Sequence, residues 1–412
     1  MPRATPRLTL PDETSHMTKR RKAAADAATI LADLIKCPSV TPAEAGTVAY
    51  LEGLLGQAGF TVERLTFSAP GTPDVENLFA TIGSGAPHLA FNGHTDVVPP
   101  GDEARWTHPP FAAEVVDGTM FGRGAVDMKG GIACFLAATL GYLAEAGTPR
   151  GTLSLLITND EEGPAINGSA KLVDWAAKQG HRFDAALVGE PTSVKTLGDT
   201  IKTGRRGSLS FTIRVAGKQG HVAYPHQADN PVTGLVRLLA RLVEIKFDDA
   251  NENFQRSNLE ITSIDVGNPV INIIPASASA KFNIRFNDSW TLKSMEKFIR
   301  DALDTVGRAY ELTITPLAAE AFLTKADALL VPLVAAITDV TGVTPAFSTG
   351  GGTSDARFLK DYCPVVEFGL VGDTLHQVDE RVPVADLGRL TAIYRRFLER
   401  FFAAAPANNA RP

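Results

Sequence analysis

The chain has 412 residues, 44% of them hydrophobic and 21% charged, with a formal net charge of −6. That length supports two domains of ordinary size, each with its own core. Mild net acidity excludes an extended basic surface for nucleic acid, so any positive charge that meets an anionic ligand must be gathered locally.

Residues 1–17 read as a loose extension, with Met17 as an alternative start. The basic run Lys19-Arg20-Arg21-Lys22 precedes an Ala-rich stretch, but Asp26 and Asp33 interrupt it and no small-residue cleavage site follows. An export signal is therefore not expected. Ile30, Leu31, Leu34 and Ile35 fall at helical spacing, and the periodicity predicts helices over 20–36, 47–58, 129–146 and 168–180. Between them, short apolar runs at 88–92, 153–158 and 185–189 read as buried strands. Helices interleaved with such strands predict an α/β layer around a mixed, mostly parallel sheet.

The style changes near residue 206. Segments 209–215, 259–266 and 278–286 alternate apolar and polar residues, as half-buried antiparallel strands do. With helices over 231–246 and 291–307 they predict an α+β domain, 207–319, inserted into an α/β domain made of 1–206 and 320–412. The α/β style returns with a helix over 326–341, a strand over 364–370 and a helix over 384–403. Cys37, Cys134 and Cys363 lie far apart and form no CxxC pair, so reduced thiols in the cytoplasm are expected, Cys134 as helix packing. No run of eighteen apolar residues occurs, so no membrane association is expected.

Five segments carry the chemistry: Gly93-His-Thr-Asp96, Gly124-Ala-Val-Asp-Met-Lys-Gly130, Asn159-Asp-Glu-Glu-Gly163, Gly189-Glu-Pro191 and Leu375-His-Gln-Val-Asp-Glu380. Each places an imidazole or a carboxylate at a strand end or turn. Mixed His and carboxylate donors suit zinc or a similar divalent ion better than magnesium or calcium. Ligands from several strand ends can hold two ions if one carboxylate bridges them, with the ions about 3.5–4 Å apart. A lone His or an acidic triplet is most often structural, but Asp160-Glu161-Glu162 follows a buried-style strand, where three carboxylates are costly without a cation.

In this order the five segments resemble the M20 family of metallopeptidases and deacylases, over about 25–400. Four narrower segments, Lys202–Leu209, Gly217–His226, Gly350–Arg357 and His376–Glu380, resemble the desuccinylase branch of that family. The resemblance implies two zinc ions per subunit, with cobalt or manganese as substitutes. One would be held by His94, Glu190 and a bridging Asp127, the other by His376, Glu162 and the same Asp127. Asp96 would accept a hydrogen bond from the far nitrogen of His94, and Glu161 would be the general base. Spacing does not decide between Glu161 and Glu162; that assignment rests on the resemblance.

The resemblance also makes the inserted unit a lid and dimerisation domain, with His221 acting in trans across a homodimer. The implied partner is a small N-succinyl amino-acid substrate with three carboxylates. Arg205 and Arg285 are its expected anchors, with Arg206 able to trade places with Arg205. Asn272 and the loop Gly351, Gly352, Thr353 and Ser354 are expected to add neutral hydrogen bonds. Two other readings compete: a sibling hydrolase such as an acetylornithine deacetylase, aminoacylase or dipeptidase, and an inert relative serving as a binding module.

Overall fold

The computed structural model describes residues 26–315 and 318–403; the extension 1–17, Met17 and the basic run 19–22 lie outside them. Eight strands form one mixed sheet, in the order Thr61–Phe67, Val75–Gly83, Thr152–Thr158, His88–His94, Ala185–Val188, Val365–Glu367, Thr200–Lys202 and Ala346–Ser348. The three strands that precede the motif segments run parallel at its centre. His94 pairs with Thr158, and Asn92 with Val188. Parallel register puts all three carboxyl ends at one edge of the layer, where ligand sites of such sheets form.

These central strands are buried on both faces, which explains their continuous apolar runs. One face packs on the helices Ala27–Ile35, Thr47–Gln57, Lys129–Ala146, Asp327–Thr341 and Val384–Ala403, the other on Ser169–Lys178. Phe91 of the central strand stacks on Phe135 at 3.8 Å, and Tyr394 meets both rings edge-on. Burying each Phe contributes about 1.5–3 kcal/mol. Cys134 is fully buried in the same helix packing. At Gly131 a Cβ would stand 2.1 Å from the Gly189 carbonyl oxygen, so only glycine lets the Lys129–Ala146 helix lie this close to the Glu190 segment.

A second sheet is antiparallel throughout, in the order Asn258–Asp265, Ser277–Phe286, Gly207–Ala216 and Glu311–Ile314. Its inward residues Leu209, Phe211, Ile213 and Val215 alternate with less buried neighbours and share a separate core with the helices Pro231–Val243 and Leu292–Asp304. Both helices start on side-chain caps. The Asn230 side chain accepts from Val232 N, and Thr291 and Ser294 form a reciprocal capping box. A two-stranded ribbon, Gly220–His221 with Ile273–Ile274, projects from this unit.

Several expected elements are shorter in the structure, among them the helices expected over 231–246 and 291–307, which end at Val243 and Asp304. The described part of the first helix starts at Ala27, where the Asp26 carboxylate accepts from Thr29 N at 2.8 Å. The strand expected over 364–370 stops at Glu367. Beyond it Gly369 N turns to the Thr192 hydroxyl at 3.3 Å, and a Cβ at Gly369 would stand 2.5 Å from the Glu190 carbonyl oxygen.

Candidate metal centre and active site

Three strand ends and two loops converge on Asp127. His94 is the last residue of its strand, and Glu190 lies two residues beyond Val188. His94 Nε2 stands 3.2 Å from Asp127 Oδ1 and 3.7 Å from Glu190 Oε1. On the other side of Asp127, His376 Nε2 lies 3.2 Å from Oδ2 and 2.8 Å from Glu162 Oε1. The two carboxylate oxygens of Asp127 thus face two imidazoles, and each trio offers donor atoms within 4.8 Å of one another. A further trio, His94 with Glu161 and Glu162, meets the same limit. Geometry therefore leaves both glutamates within reach of a cation.

The residues present fit a divalent ion. His94 Nε2 and Asp127 Oδ1 are buried and, although 3.2 Å apart, are not aligned for a hydrogen bond with each other or with any other described group. Leaving such atoms unmatched costs about 1–3 kcal/mol each, a cost that coordination removes. Electrostatics agree. Burial pushes the Glu161 carboxyl up to about 8, with Asp355 and Glu162 adding to the rise. Burial and the neighbouring Asp127 raise Glu190 well above its ordinary value. Burial opposes the Asp127 carboxylate as well, but the neighbouring His376 and His94 imidazoles outweigh it and hold its pKa low. The Asp127 and Glu162 carboxylates beside it lift His376 to about 10. Acids forced toward neutrality beside an imidazole held protonated mark a site built for cations.

The support around His94 differs in one atom from the expectation. Its Nδ1 lies 2.9 Å from the Asp96 backbone carbonyl, while the Asp96 carboxylate is 3.6 Å away. That carboxylate instead accepts from Glu161 N at 3.3 Å and Glu162 N at 3.0 Å. A residue two positions on can turn its carbonyl back to the ring, which frees the carboxylate to hold the acidic loop. Asp96 so fixes both the imidazole and the two glutamates.

A cleft of about 550 Å³ opens over this cluster; Lys202, Arg205 and Gly351–Thr353 line its other wall. Arg205 is not a free fork. Nε donates to Glu367 Oε1 at 2.7 Å, Nη2 pairs with Oε2, and Nη1 donates to the Gly352 carbonyl at 3.0 Å. Its guanidinium is spent on shaping the glycine loop. Ser354 faces the same acid, donating to Glu367 Oε1 at 2.7 Å. Arg285 has a buried, unpartnered Nη1, and Arg206 donates to Asn258 Oδ1 at 3.0 Å. Burial, then the nearby Arg206, Arg357 and Arg205, lower the pKa of Arg285, so a local positive field exists in this net-acidic chain.

His221, Asn272 and Arg285 do not line the cleft. His221 and Asn272 are exposed on the projecting ribbon, where His221 Nδ1 accepts from Ala223 N at 3.0 Å. Sequence reasoning missed Glu367, Lys202 and the pair Arg123 and Glu380. Lys202 stands in the cleft and donates to Ser348 Oγ at 3.0 Å. Glu367 had one signal, an acid in the middle of an apolar run.

A family model, "Peptidase family M20/M25/M40", matches residues 90–400. A succinyl-diaminopimelate desuccinylase of Methylobacterium sp. (strain 4-46) is 58% identical over 377 residues, covering 90% of this chain and 95% of that relative. An M20 family metallo-carboxypeptidase, Sso-CP2 from Sulfolobus solfataricus, superposes with a TM-score of 0.79 at 17% identity, covering 92% of this chain and 100% of that one. The Bacillus subtilis YXEP protein, a dinuclear metal-binding peptidase from the M20 family, gives 0.66 at 17% identity, with 92% and 97% covered. Among the described residues, no helix is long and apolar enough to cross a membrane.

Proposed function

The chain belongs to peptidase family M20/M25/M40, and from that premise we propose that it is a two-zinc desuccinylase. It hydrolyses N-succinyl-LL-2,6-diaminopimelate to succinate and LL-2,6-diaminopimelate, a step of diaminopimelate and lysine synthesis. The observation that carries this is the shared Asp127: one oxygen faces His94 and the other His376. The 58% identical relative of that name supports the substrate.

His94, Glu190 and Asp127 hold one ion, and Asp127, Glu162 and His376 the other. When bound, the ions supply Lewis acidity toward the amide carbonyl and bring the pKa of water near 7. Asp96 keeps His94 and the acidic loop in place. Glu161 removes a proton from the attacking water and returns it to the departing amine nitrogen.

Substrate carboxylates are met by Arg285 and its neighbours, while Arg205 acts by shaping Gly351, Gly352 and Thr353 for neutral hydrogen bonds. The insert between about 207 and 319 is a lid and a dimerisation unit. Exposure of the His221 and Asn272 ribbon, with Ile271 at its tip 99% exposed, supports insertion into a second subunit of a homodimer. His221 then donates to the tetrahedral oxyanion of the partner's site. A cytoplasmic setting fits the free thiols.

The test compares turnover of N-succinyl-LL-2,6-diaminopimelate with that of N-acetylornithine, alongside zinc content per chain. Strong preference for the succinyl substrate with two ions is expected. Preference for the acetyl compound would sink the substrate assignment.

A further inference from the structure

Asp127 and His376 are 249 positions apart, on two loops that the eight-stranded sheet does not join. Arg381–Pro383 pairs with Thr119–Phe121, and Gly122 N donates to the Glu380 carbonyl at 2.8 Å; between that pairing and the two site residues the link is a buried ion pair. Glu380 is fully buried and Arg123 nearly so. Glu380 Oε1 accepts from Val126 N at 2.9 Å and Asp127 N at 3.1 Å; Oε2 accepts from Arg123 Nη1 at 2.7 Å and Gly124 N at 3.1 Å. Arg123 also reaches the far side, with Nη1 donating to the Gln377 carbonyl at 3.2 Å and Nη2 to the His376 carbonyl at 3.5 Å. Its guanidinium lies 5.1 Å from the Trp106 ring centroid, which restrains the fork. Every side-chain hydrogen bond of this pair ends on the turn carrying Asp127 or on the loop carrying His376.

The other hydrogen bonds of this loop are mostly within it, between Thr374 and Arg381 and from Gln377 to Asp373 and Thr374, and do not reach the Asp127 turn. The His376 side chain is 50% exposed, and its backbone sits at φ 57°, a left-handed conformation uncommon for residues with a side chain. His94, by contrast, is held inside a buried strand. Breaking even a good buried ion pair is costly, yet such pairs rarely stabilise more than apolar packing of the same size. Placement is the function left to this one.

We propose that Arg123 and Glu380 are positioning residues that set the distance between His376 and Asp127, and so create the second ion site selectively. This rests on the two-ion reading above. Neither residue touches an ion or the substrate.

The experiment titrates metal-free protein with zinc against a chromophoric chelator, for the wild type, Glu380→Gln and Arg123→Lys. The lysine keeps the charge beside Glu380 but loses the fork to the two carbonyls. We expect two ions in the wild type. In each variant the first ion should bind as before and the second about 10–100-fold more weakly, the usual cost of losing an outer support. On a His376→Ala background, Glu380→Gln should change the affinity of the remaining ion no further. Equal weakening of both ions, or of neither, overturns the proposal while the two-ion reading stands. Fewer than two ions in the wild type removes both. Circular dichroism of the metal-free variants decides the remaining case: if both fail to fold, the pair is a general fold contact and the proposal is wrong.

Discussion

The end of the eight-stranded sheet and the ribbon Gly220–His221 with Ile273–Ile274 each present a histidine, under opposite conditions. His94 is 1% exposed, flanked by parallel strands and held by a backbone carbonyl. His221 stands in solvent on a two-residue strand, its ring meeting, among the described residues, its own turn and Tyr224. One region is held on all sides by its own chain; the other is exposed, as the proposed insertion into a second subunit requires. A division of this kind lets a rigid centre fix charge while a separate element controls access and water.

The sharpest way to break that contrast is in the rigid region. Glu161→Gln should lower kcat by about 10²–10⁴-fold, the usual share of a positioned acid–base group, with KM and metal content little changed. Steady-state kinetics with zinc analysis checks this, and retained activity would remove Glu161 from the mechanism. Next in size, His221→Ala should cost about 10²–10³-fold in kcat, as loss of one oxyanion donor does. Mixing it with Glu161→Gln tests the adaptable region: subunit exchange should restore activity, because one mixed site keeps both residues. No recovery in verified heterodimers would place His221 in its own subunit's chemistry or outside it.

The smallest effect concerns protons. In the metal-free chain, burial raises Glu161 from 4.5 to about 8, and the Asp127 and Glu162 carboxylates raise His376 from 6.5 to about 10. Both groups bind protons more tightly folded than unfolded. The stability they favour is complete at low pH and falls as pH rises from 4.5 toward 10. Thermal unfolding of the metal-free protein should show that decline, and zinc should abolish it by taking the place of the protons. Burial lowers His88 to about 4 and Lys129 to about 7, which acts in the opposite direction. The pair's share is therefore read as the difference from Glu161→Gln with His376→Ala; an unchanged pH slope in that double variant would contradict the described electrostatics.

Much of this architecture was legible. Strands such as His88–His94 and Thr152–Thr158 are apolar throughout because both faces are covered, and Gly207–Ala216 alternates because one face is not. The outer hairpin, Thr61–Phe67 with Val75–Gly83, escaped notice because no residue of its first strand is fully buried, so Glu63 and Arg64 break the apolar pattern. Strands of two or three residues, such as Val115–Val116 and Thr119–Phe121, are too short for any periodicity. At the site, the motifs identified which residues meet but not which atoms. Asp96 turns a carbonyl rather than a carboxylate to His94, and Arg205 spends its fork on Glu367 across 162 positions. Partners that distant leave no local spacing to read.

The order of synthesis gives the sheet's discontinuity a meaning of its own. Val365–Glu367 pairs in parallel with Ala185–Val188, although the whole antiparallel unit is made between them. A nascent chain therefore displays His94, Asp127, Glu162 and Glu190 long before His376 exists. Until then only one side of Asp127 has its imidazole, and the inserted unit, with its separate core, has time to fold first. The pair of imidazoles that faces Asp127 is thus complete only after the inserted unit has been made.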